Sequence, residues 1–106
     1  MAYDEALAAD IRMVLSGESG VSEKKMFGGL GFMINGNMAV AANANGGMMV
    51  RVSPELASTL LEPPNVDLFD MGGRRMAGWL KVLEPGDQLT DWVATGVAYA
   101  RSLSAK

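Results

Sequence analysis

The dipeptide Asn35-Gly36 constrains the fold of this chain more than any other feature of its sequence. It separates two apolar runs, residues 30–34 and 37–42, and Asn-Gly in this setting is the strongest short signal for a two-residue β-hairpin. The type I′ turn of such a hairpin needs positive φ at both central positions, which Asn and Gly tolerate. The turn predicts two cross-strand pairs: Met33 opposite Met38, and Phe32 opposite Ala39.

Further segments have the periodicity of strands and helices. Strands are predicted over residues 23–27, 48–52 and 75–83, with a more ambiguous extended stretch over 66–71. Helices are predicted over residues 2–16 and along an apolar face that runs from Leu89 to Leu103. A short helix is predicted to begin at Ser53-Pro54, with Leu56, Leu60 and Leu61 facing inward. Helices and hairpin-linked strands are segregated, which predicts an α+β fold, an antiparallel sheet with helices on one face.

Length and composition limit the chemistry that is available. With 106 residues and 49% hydrophobic content, we expect residues 1–106 to form one domain with a modest core. The chain contains neither cysteine nor histidine, the usual thiolate and imidazole ligands and catalytic groups. No carboxylates are spaced as in an oxygen-ligand loop. We therefore expect no metal, no cofactor and no enzymatic activity.

Charge and hydropathy indicate the compartment and the class of partner. The formal net charge is −3, whereas a protein that neutralises phosphates normally carries a basic stripe, so direct nucleic-acid binding is not expected. The N-terminus lacks the pattern of a signal peptide, and no apolar run approaches the ~20 residues of a membrane helix. We expect a cytoplasmic protein with no membrane association.

Residues 23–32 contain a "K-x-M-F-G-G" strand that leads into the hairpin at Gly36. This motif resembles the hallmark of the TfoX/Sxy N-terminal domain. Residues 73–82 and the closing helix, residues 92–101, are similar to the short standalone members of that family, so the resemblance covers nearly the whole chain. It implies a compact two-layer domain of the secretion-chaperone-like type. In the namesake members the domain belongs to proteins that promote transcription of natural-competence genes, which implies a regulatory role.

Two groups of polar or flexible residues could form a ligand site. The glycines at 28, 29 and 31 invite a phosphate-binding interpretation, but a strand follows them instead of the helix that a phosphate cradle needs, so a glycine bulge is favoured. Two basic pairs would form one patch if their strands were adjacent: Lys24 with Lys25, and Arg74 with Arg75. A solvated edge, where lysines discourage aggregation, explains them better. A cleft between Gly28-Gly29 and Arg74-Arg75 remains the alternative, as a small enzyme or an anion- or metabolite-binding domain.

Alternation along the strands predicts a second apolar face of the sheet. Met48, Val50 and Val52 are predicted to face the core, as are Met76, Leu80 and Val82. The opposite face would then carry the residues left over: Met33, Met38 and Val40, Met49 and Arg51, Trp79 and Lys81. Met, Trp and Arg are enriched in interface cores. Met33, Met38, Met49 and Trp79 are therefore the candidate interaction surface, for a protein partner or a homodimer, unless another segment covers them as a second core.

Overall fold

The computed structural model describes residues 3–26, 28–43, 46–60, 66–71 and 74–103. Within these ranges the elements follow in the order α1 (Glu5–Val14), β1 (Val21–Met26), β2 (Gly29–Ile34), β3 (Asn37–Ala42), β4 (Met48–Arg51), α2 (Pro54–Leu60), β5 (Val66–Met71), β6 (Arg74–Val82) and α3 (Leu89–Ser102). Short 3-10 turns, Leu15–Gly17 and Gly86–Gln88, flank α1 and α3. The chain has the predicted α+β fold, and the ambiguous stretch 66–71 is a strand.

The six strands form one open antiparallel sheet in the order β1-β2-β3-β4-β6-β5, so β1 and β5 are its edges. One face of this sheet packs against the helices. Val40 pairs with Val50, and Val50 pairs with Leu80; all three side chains are fully buried in the main core. The same core includes Ile11 of α1, Ala57 of α2 and Val93 of α3. The sheet and helices thus bury one continuous apolar layer, as alternation predicts for half-covered strands.

The first hairpin has the predicted turn but an irregular register. Asn35 and Gly36 both have positive φ, 52° and 86°, and Met33 lies opposite Met38 as predicted. Phe32, however, pairs with Val40 and not with Ala39, because a β-bulge leaves Ala39 without a partner. The bulge also places the Val40 side chain on the face opposite to the predicted one. Val40 belongs to the helix-covered core, whereas Met38, two residues earlier, does not. A bulge inverts the alternation beyond it, which pattern counting alone does not reveal.

The helices begin and face slightly differently from the prediction. Asp4 precedes α1 as its N-cap, and its carboxylate accepts hydrogen bonds from the amides of Ala6 and Leu7. The short helix α2 does begin at Pro54, after a hydrogen bond from the Leu56 amide to Ser53 Oγ. Leu56 was expected to face inward but is 53% exposed, because α2 buries Ala57 instead. Leu61, also expected to face inward, lies outside the described residues.

The contact between α3 and the sheet depends on Gly96. A Cβ at this position would meet the carbonyl oxygen of Ala39 and would lie 2.8 Å from Val40 Cγ1. The glycine therefore lies directly over the β-bulge and lets the helix backbone approach the strand closely. Across the described ranges, no helix is long and apolar enough to cross a membrane.

Candidate interaction surface

The face of the sheet away from the helices carries an apolar group that we call the outer face: Met33, Met38, Ala41 and Met49. Met33 lies opposite Met38, and Ala41 lies opposite Met49 on the next strand. Met38 and Ala41 are only 8% and 4% exposed, yet neither belongs to the helix-covered core. Met33 and Met49 are half-buried. The outer face therefore has an apolar centre where an exposed antiparallel sheet normally carries polar residues.

Trp79, the fourth residue of the candidate surface, lies to one side of the outer face. It pairs with Arg51, and the Arg51 guanidinium carbon lies 4.9 Å from the centroid of the indole. The same carbon lies 5.6 Å from the ring of Tyr99, which belongs to α3. In β6, residues 77–79 have no partner on β5, since Leu68 pairs with Leu80 and Phe69 pairs with Met76. The irregularity lies on the β5 side of Trp79, whereas its pair with Arg51 belongs to the regular β4–β6 register.

The two basic pairs do not form one patch. Lys24 and Lys25 lie on the edge strand β1, and Arg74 and Arg75 lie on β6, with three strands between them. Four strand spacings amount to roughly 19 Å. The cross-strand pairs also connect Lys24, strand by strand, to Lys81 of β6. Lys81 lies near the end of β6, whereas Arg74 lies at its beginning. The condition for one basic patch, adjacent strands, is not met, because β2, β3 and β4 lie between β1 and β6. The side chains of Arg74 and Arg75 lie outside the described part.

The edge strand β1 is tied to the helices by charge. Arg12 of α1 donates two hydrogen bonds to the carboxylate of Glu23, at 2.6 and 2.9 Å. These hydrogen bonds, together with the positive charge of Arg12, lower the pKa of Glu23 below its ordinary value despite partial desolvation. Arg101 of α3 contacts the segment that precedes β1, at Glu18 (2.7 Å) and at the Ser19 carbonyl (3.0 Å). Residues 21–25 are all exposed. The Arg12–Glu23 pair and the two lysines therefore make β1 a charged edge of the sheet.

The alternative cleft between Gly28-Gly29 and Arg74-Arg75 is not formed. Gly29 begins β2, and through the cross-strand pairs this end of β2 is level with Val82, the last residue of β6. Arg74 begins β6 at the opposite end of the sheet, and β3 and β4 lie between β2 and β6. Gly28 has a φ of 78° and lies between Met26 and Gly29, which pair with each other where β1 leads into β2. The glycines therefore belong to the connection of two strands and not to the predicted glycine bulge, and the strand that follows them does not suit a phosphate cradle. Among the residues that the structure describes, no group of three or more acidic side chains could hold a metal ion.

The sequence did not predict two residues that lie at or beside the candidate surface. Ala41 lies at the centre of the outer face, and Tyr99 lies beside Arg51. Ala41 could have been identified from Met49, because β3 and β4 pair in one regular register that places these two residues opposite each other. Tyr99 could not have been assigned, since its contact with Arg51 depends on how α3 crosses the sheet.

Comparison with known proteins assigns the chain to a family. No curated protein matches it. The family model for the TfoX N-terminal domain matches residues 14–100. This span begins at the end of α1, contains the whole sheet and ends within α3, so it includes the K-x-M-F-G-G strand, the outer face and the Arg51–Trp79 pair. Because the match covers most of the 106 residues, this chain belongs to the TfoX N-terminal domain family.

Proposed function

We propose that this chain is a non-enzymatic interaction module of the regulatory kind, and that it acts through the outer face of its sheet. The observation that carries the proposal is the apolar layer of Met33, Met38, Ala41 and Met49, which lies outside the helix-covered core. Methionine side chains are flexible and polarizable, so a surface built from them adapts to an apolar partner surface. Ala41 at the centre keeps the middle of this face flat.

A second copy of the chain is the partner that we propose first. Two such faces meeting about a two-fold axis would bring methionines against methionines, and a symmetric contact needs only one self-complementary patch. The charged edge strand β1 discourages the competing route, in which sheets join edge to edge. The regulatory role implied by the family would then be exercised by a dimer that contacts other proteins. The net charge of −3 favours protein partners over direct contact with nucleic acid.

The proposal is tested by comparing Met33→Gln with Met13→Gln. Both replace a methionine by a polar residue of similar length, but Met13 lies on α1 and is 74% exposed, whereas Met33 lies on the outer face. We expect the wild type and Met13→Gln to be dimers by light scattering over a concentration series. Met33→Gln should dissociate at concentrations where they do not, with little change in thermal stability, because Met33 is only half-buried.

A monomeric wild type at the highest concentration would contradict self-association through this face. Equal dissociation of Met13→Gln and Met33→Gln would show that the contact lies elsewhere. A large loss of thermal stability in a monomeric Met33→Gln variant, with wild type also monomeric, would identify the outer face as an ordinary second core.

A further inference from the structure

Arg51 differs from the other arginines whose side chains the structure describes. Arg12 and Arg101 are each paired with a carboxylate, that of Glu23 and of Glu18 respectively. Arg51, by contrast, contacts two aromatic rings and makes no hydrogen bond or ion pair with any described side chain. It is also half-buried, so part of its hydration shell is lost. A guanidinium in this setting has donors without acceptors.

The two rings hold the guanidinium in place without neutralising it. A cation over an aromatic face is attracted electrostatically, and the attraction grows as the cation is desolvated. This attraction uses the π-electrons of Trp79 and Tyr99 and leaves the N–H donors available for an acceptor. The rings come from β6 and α3, and the arginine from β4. Three elements thus fix one cationic group in advance, which reduces the entropy lost on binding an anion.

We propose that Arg51, with Trp79 and Tyr99 as its walls, binds the carboxylate group of a ligand with an apolar body. A guanidinium presents its donors as a planar fork that matches a carboxylate in two parallel hydrogen bonds. The two aromatic rings offer apolar surface to the rest of the ligand. The site uses none of the outer-face residues, so this proposal and the dimer proposal can fail separately.

A carboxylate fits this site better than a phosphate. A phosphate monoester carries about −1.5 to −2 charges at neutral pH and normally recruits several cations or backbone amides. Here a single guanidinium contacts two rings. One cation balances one carboxylate, and aromatic walls would not compensate the remaining charge of a phosphate. The ligand is therefore a small organic acid or the carboxyl group of a polypeptide.

The test follows the Arg51 side-chain Nε–H signal by NMR while sodium hexanoate is added at constant ionic strength. Hexanamide, which has the same apolar chain without the charge, is the matched control. We expect a saturable shift with hexanoate and none with hexanamide. Arg51→Met should abolish the binding, and Arg51→Lys should weaken it because lysine lacks the fork. Arg12→Met, which removes an arginine already paired with Glu23, should bind hexanoate like wild type.

Further titrations identify the source of the carboxylate. A short alanine peptide with a free carboxyl terminus is compared with its amidated form, and inorganic phosphate is titrated separately. Binding of the free peptide but not of the amide would indicate a polypeptide end, and binding of hexanoate alone would indicate a small acid; both support the proposal. The absence of any shift of the Arg51 signal up to the solubility limit, equal shifts with hexanamide, or a response to phosphate alone would overturn it. The wild-type signal decides this even if an Arg51 variant fails to fold.

Discussion

At the scale of single residues, two glycines carry structural requirements of different kinds. Gly36 has a backbone requirement, since its φ of 86° lies in the left-handed region that other residues resist. Gly96 has a requirement for space, because a side chain there would meet the backbone of Ala39 in the β-bulge. The first was predictable from the Asn-Gly pattern. The second was not, since a glycine on the apolar face of a helix does not reveal which backbone it approaches.

Substitution of Gly36 tests the hairpin turn. Gly36→Val should lower the free energy of unfolding by more than ~1 kcal/mol, because a β-branched residue resists positive φ. Gly17→Val is the matched control, since a Cβ at Gly17 meets nothing within 4 Å and its φ is not in the left-handed region. Urea denaturation of both variants measures the difference. Equal midpoints for the two would mean that the turn does not set the register of the hairpin.

Substitution of Gly96 tests the close approach of α3 to the sheet. In an ordinary helix interior, replacing glycine by alanine stabilises by about 1 kcal/mol. We expect Gly96→Ala to destabilise by about 1–3 kcal/mol instead, because the added methyl group overpacks against the carbonyl of Ala39 and Val40 Cγ1. Ala98→Gly, at an exposed position of the same helix, should cost about 1 kcal/mol through helix propensity alone. A more stable Gly96→Ala variant in thermal denaturation would refute the contact.

At the scale of elements, the sequence predicts the order of helices and strands well, because local patterns determine them. The β3 strand has its predicted bounds, 37–42; β4 ends one residue earlier than predicted, and β6 both begins and ends one residue earlier. Interactions between strands decide what the local patterns do not. The bulge at Ala39 places Val40 in the core, and β2, β3 and β4 separate Lys24 from Arg74. Register and strand order depend on distant pairing, which leaves no periodic signal in either strand.

The link between α1 and the edge strand β1 is tested by the pKa of Glu23. Hydrogen bonds and charge from Arg12 lower this pKa in the folded protein. A carboxyl group whose pKa is lower in the folded than in the unfolded state stabilises the fold above its unfolded pKa, and this contribution is lost as the pH falls through the folded pKa. We expect the NMR-measured pKa of Glu23 to rise in Arg12→Met, and the acid-induced loss of stability to become smaller in that variant.

Arg101→Met is the control for this titration, because Arg101 pairs with Glu18 and not with Glu23. The pKa of Glu23 should be the same in Arg101→Met as in wild type. An unchanged pKa in Arg12→Met would show that the Arg12–Glu23 contact does not persist in solution.

At the scale of the whole molecule, the fold divides its apolar residues between two layers. The helices cover one face of the sheet, where Phe32, Val50 and Leu80 are fully buried. The opposite face retains the methionines of the outer face, and the edge strand β1 beside it is charged and exposed. This division supports association through the outer face over association at the β1 edge. The candidate surface predicted from the sequence contained three of the four residues of the outer face, and it missed Ala41.

The most direct test of the proposed interface records methionine methyl NMR spectra over a dilution series. The methyl signals of Met33, Met38 and Met49 should shift as the protein dissociates. The signals of Met13, exposed on α1, and of Met48, fully buried in the core, should remain constant. This pattern would locate the contact between copies at the outer face. Shifts confined to Met13, or constant signals for all five methionines while the measured mass changes from dimer to monomer, would contradict it.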